Sequence, residues 1–316
     1  MLTSLWKKEN DQNWRIWQMN FFNNTYFFDV INFIQYIGNM KIIKAHGLLI
    51  ALIILGTSCS KTEKKDTTEE NTVESKIDSL SYTFNDYSKE YGKCETDTSA
   101  YCTRIQLNYP EFDTEEHPSQ ARAINEQIES YVLNQFFPDT VENKSIAMFV
   151  EGFIEDYKEV KEAFGEAFGW YAKINGKVLR NDSISVTVEL TADIYTGGAH
   201  GSFDLHYLNF DPSTGDLIDF ESLFEPNYSD KLNEIVEQKF RETYKIEPGT
   251  DLGDEGYEFE DGLYYNINNF ALLEDGIKFY YNSYEIAPYA KGPSEVFVSY
   301  ADLKEILKTT KEDIAV

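Results

Sequence analysis

Basic residues are scarce in this sequence. Among 316 residues, 28 Lys and Arg stand against 55 Asp and Glu, which gives a formal net charge of −27. Such an acidic surface repels phosphate and lacks the basic stripe of nucleic-acid-binding proteins, so we exclude nucleic acid as a partner. A cationic partner would instead be attracted and steered. Aromatic residues make up 15% of the sequence, whereas disordered acidic chains are poor in them, so we predict that this acidic chain folds.

Sequence motifs of catalysis are also missing. There is no GxSxG nucleophile motif and no HExxH metal motif. His200 and His206 lie six residues apart with Asp193 and Asp204 nearby, so a metal site is conceivable, but the spacing matches none of the usual zinc patterns. We therefore predict no metal, no cofactor and no catalytic residue.

The apolar run that follows Met40 is too short to cross a membrane. Lys41 and Lys44 precede this run, 47–55, and small residues separate it from Cys59. This pattern is typical of a secretory signal peptide, and a cysteine directly after the small residues resembles a bacterial lipobox. We predict a lipoprotein signal peptide over 40–58 and lipidation of Cys59. Because the leucine preferred three places before the cysteine stands one place earlier, ordinary cleavage or a short anchor stays open.

The segments on either side of the signal peptide have different predicted roles. Residues 1–39 have no clear period, and we interpret them as an upstream extension from a mis-called start codon, with an amphipathic or partly inserted segment as the alternative. Residues 59–80 are polar and predicted to be a disordered tether. The chain from Cys59 onward holds 23 basic and 52 acidic residues, a net charge of −29. Ser60 is not the aspartate of an inner-membrane retention signal, so we expect an outer-membrane location, on its periplasmic or surface face.

Two cysteines remain once Cys59 is assigned to lipid. Cys94 and Cys102 flank the turn-like segment 95–101, and an oxidising compartment favours closing the pair. We predict a disulfide, while two free thiols or a metal pair are the alternatives.

Periodicity predicts an α+β fold with a mainly antiparallel sheet, flanking amphipathic helices and two intimately linked subdomains. Apolar residues at helical spacing predict helices over 118–137, 144–165 and 229–245, with a closing helix from Ala301. Alternating segments bounded by turns predict strands over 101–112, 171–179, 184–190, 202–210, 270–273, 277–281 and 295–300. The sequence Arg180-Asn181-Asp182 is predicted to be a turn. We place the domains at 81–212 and 213–310.

Two irregular segments are the candidate ligand contacts. Gly197, Gly198 and Gly201 surround His200 in the segment 195–201, and glycine allows a close backbone approach. A tight structural turn is the alternative there.

The second candidate is the tyrosine-rich loop 280–291, which includes Tyr284, Pro288 and Tyr289. Tyrosine offers rigid, amphipathic contact area for recognition. The alternative is that these rings cover the end of a core.

Three blocks of the sequence resemble one family of extracytoplasmic domains. The blocks are TGGAHG at 196–201, LNFDPSTGDLIDFESLF at 208–224 and DGIKFYYNSYEIAPYAKGPSEVFVSYADL at 275–303. The family is the paired domain of the lysozyme-sensing anti-sigma-factor receptor of Gram-positive bacteria, which also stands in front of certain peptidoglycan deacetylases. The resemblance covers about 81–307, its first domain being deacetylase-accessory-like and its second lysozyme-receptor-like.

The resemblance implies an α+β fold and an extracytoplasmic sensing or binding role. The sequence shows neither the cytoplasmic anti-sigma segment of the receptor nor the catalytic domain of the deacetylases. We therefore expect a non-enzymatic, lipid-anchored envelope protein whose ligand is lysozyme, another cationic protein or a cell-wall fragment. A peptidoglycan deacetylase-type hydrolase or accessory factor is the alternative, since a fold alone does not carry a function.

Overall fold

The computed structural model describes most of the chain beyond residue 77. The described residues are 5–9, 13–17, 78–94, 101–135, 145–165, 168–259 and 269–308. The predicted signal peptide 40–58, its Cys59 and nearly all of the tether 59–80 lie outside them. The described helices include none long and apolar enough to cross a membrane. The chain divides into two compact units, Met1–Glu70 and Asn71–Val316.

The first unit contains a β-hairpin that the sequence analysis did not predict. Strand β1, Leu5–Glu9, pairs antiparallel with β2, Asn13–Trp17, so that Leu5 lies opposite Trp17. The interpretation of residues 1–39 as an upstream extension stays a prediction.

The second unit begins with a five-stranded sheet whose strands follow chain order. They are β3 (Tyr82–Gly92), β4 (Cys102–Phe112), β5 (Tyr171–Asn181), β6 (Val186–Tyr195) and β7 (Ser202–Phe210). All neighbours are antiparallel except β4 and β5, which are parallel. A parallel pair needs a long crossover, and the helices α1 (Pro118–Asn134) and α2 (Ile146–Phe164) supply it.

One face of this sheet packs against the two helices. The inward residues of β4 predicted from alternation, Ile105, Leu107 and Tyr109, are 0–1% exposed. They meet Ile124 and Ile128 of α1, both fully buried in the same core. Pro118 begins α1, where its missing N–H costs no helical hydrogen bond.

The second core lies between a three-stranded sheet and further helices. The sheet has the order β10–β9–β8, all antiparallel. Its strands are β8 (Phe270–Leu272), β9 (Gly276–Tyr281) and β10 (Ser294–Ser299), followed by a four-residue helix α4 (Tyr300–Leu303). Helix α3, Ser229–Tyr244, buries Leu232, Val236 and Phe240 against this sheet. The predicted α+β class with two linked subdomains is confirmed, while the boundary between residues 212 and 213 stays a prediction.

The two sheets are joined by asparagine side chains rather than by a backbone ladder. On the outer edge of β7, the Leu205 N–H donates to Asn282 Oδ1 at 2.8 Å, and the Tyr207 N–H donates to Asn269 Oδ1 at 2.9 Å. Asn269 Nδ2 returns a bond to the Leu205 carbonyl at 2.7 Å. An exposed strand edge would otherwise leave these groups without a partner. We call this set, with Asn209, the amide seam.

Asn209 reaches from β7 in the opposite direction. Its side-chain oxygen accepts the Leu272 N–H at 2.9 Å, and its Nδ2 donates to the Phe270 carbonyl at 2.6 Å. Thr187 Oγ1 lies 3.0 Å from the same oxygen and donates also to the Leu272 carbonyl. Asn209 is 3% exposed. Its amide therefore supplies hydrogen bonds to backbone groups of β8 that are buried away from solvent.

A buried arginine forms the second link between the sheets. The predicted turn at 180–182 is wrong, because β5 continues to Asn181 through a bulge between Val178 and Arg180. The bulge turns Arg180, 6% exposed, toward the second sheet. Its Nη1 donates to the Leu273 carbonyl at 2.8 Å, and its Nε pairs with Asp182 at 2.6 Å.

Candidate functional site

Cys94 and Cys102 form a disulfide, as the sequence predicts. Their Cα atoms lie 4.7 Å apart, at the connection between β3 and β4. Glu90 lies beside the two sulfur atoms, and this is the group of potential metal ligands found among the described residues. Metals bind the thiolate, so sulfurs joined in a disulfide do not provide that ligand.

The glycine-rich segment forms a tight connection between β6 and β7. Gly197 and Gly198 have φ values of 112° and 100°, a region that glycine enters without steric cost. The Tyr195 hydroxyl donates to the Gly198 carbonyl at 3.2 Å. A Cβ at Gly201 would lie 2.9 Å from the Ile194 carbonyl oxygen and 2.8 Å from the Tyr171 hydroxyl. The turn therefore carries His200, which is exposed, on a backbone of fixed shape.

The tyrosine-rich loop 280–291 is partly core and partly surface. Tyr280 and Tyr281 are 8% and 2% exposed, whereas Tyr284 and Tyr289 are 53% and 43% exposed. The first half of this loop therefore covers the end of a core, whereas a recognition role for the exposed half stays a prediction. Pro288 directly precedes a short 3₁₀ helix, Tyr289–Lys291, so that Tyr289 is the first residue of this helix.

The structure brings the two candidate segments into contact. The imidazole of His200 stacks on the ring of Tyr289, with centroids 4.3 Å apart and an interplanar angle of 18°. Tyr289 in turn lies 5.5 Å from Tyr284. Next to them, Tyr171 stacks on Tyr195 at 5.8 Å. We call these five residues the aromatic cluster. Offset stacking at these distances is the arrangement that aromatic rings favour.

The electrostatics of the aromatic cluster keep Tyr171 a neutral hydrogen-bond donor. Its pKa is raised by burial and then by the carboxylate of Asp193, which also accepts a hydrogen bond from it, and by the neighbouring Tyr289. The hydroxyl is therefore neutral over the physiological pH range, with its proton donated to Asp193, and its oxygen can accept a hydrogen bond from a ligand.

His206 belongs to a different environment from His200. It stacks on Tyr131 of α1 at 5.0 Å, and burial lowers its pKa. Asp204 shares its face of β7, and burial raises the pKa of that carboxyl group. Within the described part of the chain, these residues form no group of three ligating atoms at metal-binding distance.

Sequence reasoning missed Tyr171 and Tyr195 as members of the site. Strand pairing places them opposite each other across β5 and β6. The available signal was that both occupy strand ends, and Tyr195 directly precedes the glycine-rich segment.

The structure contains two successive α+β parts, each with its own sheet and hydrophobic core. The family model described as Deacetylase PdaC matches residues 96–203. The model described as Protein of unknown function (DUF3298) matches residues 221–301. The chain therefore carries a PdaC-like region followed by a DUF3298-like region. The predicted deacetylase-accessory resemblance is confirmed, and the resemblance to the lysozyme receptor stays a prediction.

Known proteins are similar to this chain in sequence or in structure. The peptidoglycan-N-acetylmuramic acid deacetylase PdaC of Bacillus subtilis is 24% identical over 185 residues, which are 57% of this chain and 39% of that protein. The chain thus spans about two fifths of that relative's length. A DUF3298 family structure from Bacteroides fragilis has a TM-score of 0.58 at 22% identity, covering 73% of this chain and 96% of its own. One from Pseudomonas aeruginosa has 0.57 at 19%, covering 74% and 97%. These structures establish the fold.

Proposed function

We propose that this chain is a lipid-anchored, non-enzymatic binding module of the bacterial envelope, which recognises its ligand with the aromatic cluster. The ligand would be a cationic protein such as lysozyme, or a cell-wall fragment. The observation that carries the proposal is the contact between His200 and Tyr289. Two segments 89 residues apart in sequence meet at the surface and leave large parts of their rings exposed.

Exposed aromatic rings held in fixed positions suit recognition. A tyrosine buries a large area on binding while few torsions lose their freedom, so such residues often dominate binding energy. The cluster residue Tyr284 also has a φ of 74°, which is unusual for a residue with a side chain, and its N–H donates to the Ala287 carbonyl at 3.1 Å within the loop. The acidic chain would in addition steer a basic partner toward this surface.

Binding should depend on the rings and not on charge alone. We expect the double substitution His200→Ala and Tyr289→Ala to weaken binding to lysozyme, or to purified peptidoglycan, at least tenfold, since two aromatic contacts are lost. Phe297→Ala is the matched control, because Phe297 is an exposed aromatic residue of the edge strand β10. Titration calorimetry and sedimentation with peptidoglycan measure the two ligands.

Salt distinguishes a packed interface from general attraction. At about 0.15 M salt the Debye length is about 8 Å, so long-range attraction is screened while a packed contact persists. Binding that disappears between low and physiological salt, or that the double substitution leaves unchanged, contradicts the proposed site.

The lipid anchor is a separate part of the proposal. It rests on the run of positive, apolar and small residues before Cys59. We expect protein extracted from membranes to begin at an acylated Cys59, which intact-mass analysis measures. A membrane-extracted chain that retains residues 1–39 contradicts it.

A deacetylase-type or accessory role is the alternative, favoured by the PdaC family match over 96–203. Under this alternative the purified protein would release acetate from peptidoglycan or stimulate a deacetylase that does. Metal analysis together with an acetate assay separates it from the binding role.

A further inference from the structure

The five-stranded sheet has one face that the helices do not cover. Residues directly opposite in paired strands share a face, so the register assigns the side chains of this open face. One row across it is Glu90, Arg104, Tyr171 and Tyr195, and the next is Ser88, Gln106, Lys173, Asp193 and Phe203. The third row begins with Asp86, Asn108, Asn175 and Thr191. The second sheet packs against the β7 side of this face, where it contacts Thr187, Leu205, Tyr207 and Asn209.

The open face is rich in side-chain amides that are available for binding. Gln106 and Asn175 are exposed, and Asn108 is half-buried. No hydrogen bond joins these three side-chain amides to another described residue. Thr191 Oγ1 donates to the backbone carbonyl of Asn175 and not to its side chain. Each amide offers both donors and acceptors. The rows therefore present paired donors and acceptors to a ligand lying across the strands.

The charge of this face differs from that of the whole chain. Its positions from β3 to β6 hold three basic residues (Arg104, Lys173 and Lys177) and four acidic residues (Asp86, Glu90, Glu189 and Asp193). The whole chain has twice as many acidic as basic residues. A nearly neutral area on an acidic protein complements an uncharged polar ligand better than a cationic one.

The aromatic cluster stands at one end of the open face. Tyr171 and Tyr195 belong to its first row, and Tyr289 lies close enough to Tyr171 to influence its pKa. Phe203, 45% exposed, adds a ring in the second row. Sugar rings expose C–H groups on their flat faces, and these faces stack on aromatic rings. Their hydroxyl and acetamido groups lie at the ring edges, where they form hydrogen bonds with side-chain amides.

We infer that the open face, with the aromatic cluster at its end, binds an uncharged N-acetylated glycan strand. This inference rests on the proposed function, because it names the ligand class of the same binding module. The strand would stack on the rings of Tyr171 and Tyr289 and hydrogen-bond to Gln106, Asn108 and Asn175. Three strand spacings of about 4.8 Å between β3 and β6 give an uncovered width of roughly 14 Å across which the glycan can lie.

The test uses a tetramer of N-acetylglucosamine and the purified full chain. We expect Gln106→Val with Asn175→Val to weaken tetramer binding in titration calorimetry about tenfold, because two sets of hydrogen bonds are lost. Valine removes the amide and has the β-branched shape that strands favour. Lys231→Val on the exposed side of α3 is the control and should leave the affinity unchanged. Because the tetramer is uncharged, its binding should change less than twofold with added salt.

The outcomes separate this inference from the proposed function. Loss of tetramer binding in the double variant but not in the control, with unchanged unfolding midpoints, supports the inference. If the protein binds lysozyme through Tyr289 but does not bind the tetramer, the glycan assignment falls and the binding role stands. Tetramer binding that the double variant retains also overturns the assignment. Binding of neither ligand overturns both.

Discussion

Asn209→Ala is expected to lower the free energy of unfolding by about 3 kcal/mol. The substitution removes the amide that bonds the Leu272 N–H and the Phe270 carbonyl, and leaves both groups buried without their partner. Each unsatisfied buried group costs about 1–3 kcal/mol. The alanine also leaves space beside Thr187, whose hydroxyl loses one of its contacts. Urea unfolding followed by circular dichroism measures the change.

Asn175→Ala is the matched control for this substitution. It removes the same side chain from an exposed position of the same sheet, so its effect should stay within about 0.5 kcal/mol. Equal effects of the two substitutions would show that the amide seam contributes nothing specific. A change in the urea dependence of the unfolding free energy, with the two sheets unfolding separately, would instead strengthen the assignment of Asn209 as their link.

Arg180→Ala is expected to cost about 3 kcal/mol of unfolding free energy. Removing one partner of a buried ion pair typically costs about 3–5 kcal/mol, and the low end applies because the Asp182 side chain is 38% exposed. The Leu273 carbonyl also loses a charge-assisted bond, although the Tyr300 hydroxyl still donates to it at 2.9 Å. Urea unfolding at neutral pH measures the loss. Lys231→Ala, which removes an exposed cation from α3, should stay within about 0.5 kcal/mol.

The pH dependence of Asp182 provides an independent check. Burial alone would raise the pKa of Asp182, but the Arg180 guanidinium and the N–H groups of Ser185 and Ile184 bring it below its ordinary value. A carboxyl group with a lowered folded-state pKa stabilises the fold above its unfolded-state pKa, and this contribution is lost as the pH falls through the folded-state value. The stability difference between the native chain and Asp182→Asn should therefore shrink below about pH 4. A constant difference from pH 7 to pH 3 would contradict the ion pair.

Most elements of the second unit could be predicted from residue patterns. Helices predicted at 118–137, 144–165 and 229–245 are observed as Pro118–Asn134, Ile146–Phe164 and Ser229–Tyr244. Strong apolar periodicity placed them, and their ends shifted by up to three residues, since fraying and capping decide the last turn.

Strand β3 was missed for a physical reason. Its sequence YTFNDYSKEYG places tyrosine and lysine where a buried strand would have aliphatic residues. Tyr87 and Tyr91 only partly enter the core, because β3 is the edge strand. A strand at an edge needs less apolar surface than one between two neighbours, so its sequence resembles a loop.

The candidate site was predicted as separate pieces. His200 and Tyr289 were singled out for their own neighbours in sequence, but nothing local indicates that they stack. The contact between His200 and Tyr289 depends on how the two sheets are placed against each other. The buried asparagines that bond one sheet to the other determine this placement. Asn209 and Asn269 carry no periodic signal, since an asparagine in sequence more often indicates a turn.

The amide seam also determines how much the sequence and length of the segments that connect the two sheets can change. A backbone ladder between β7 and β8 would fix their register residue by residue, and both sheets would have to share one continuous twist. Side-chain amides impose no such periodicity, since each one bonds a particular peptide group and leaves the next unconstrained. An insertion or deletion in the β8–β9 turn, residues 273–275, would therefore leave the pairing of the five-stranded sheet unchanged. The tyrosine-rich loop that follows β9 could diversify in the same way while the supporting sheets keep their own registers.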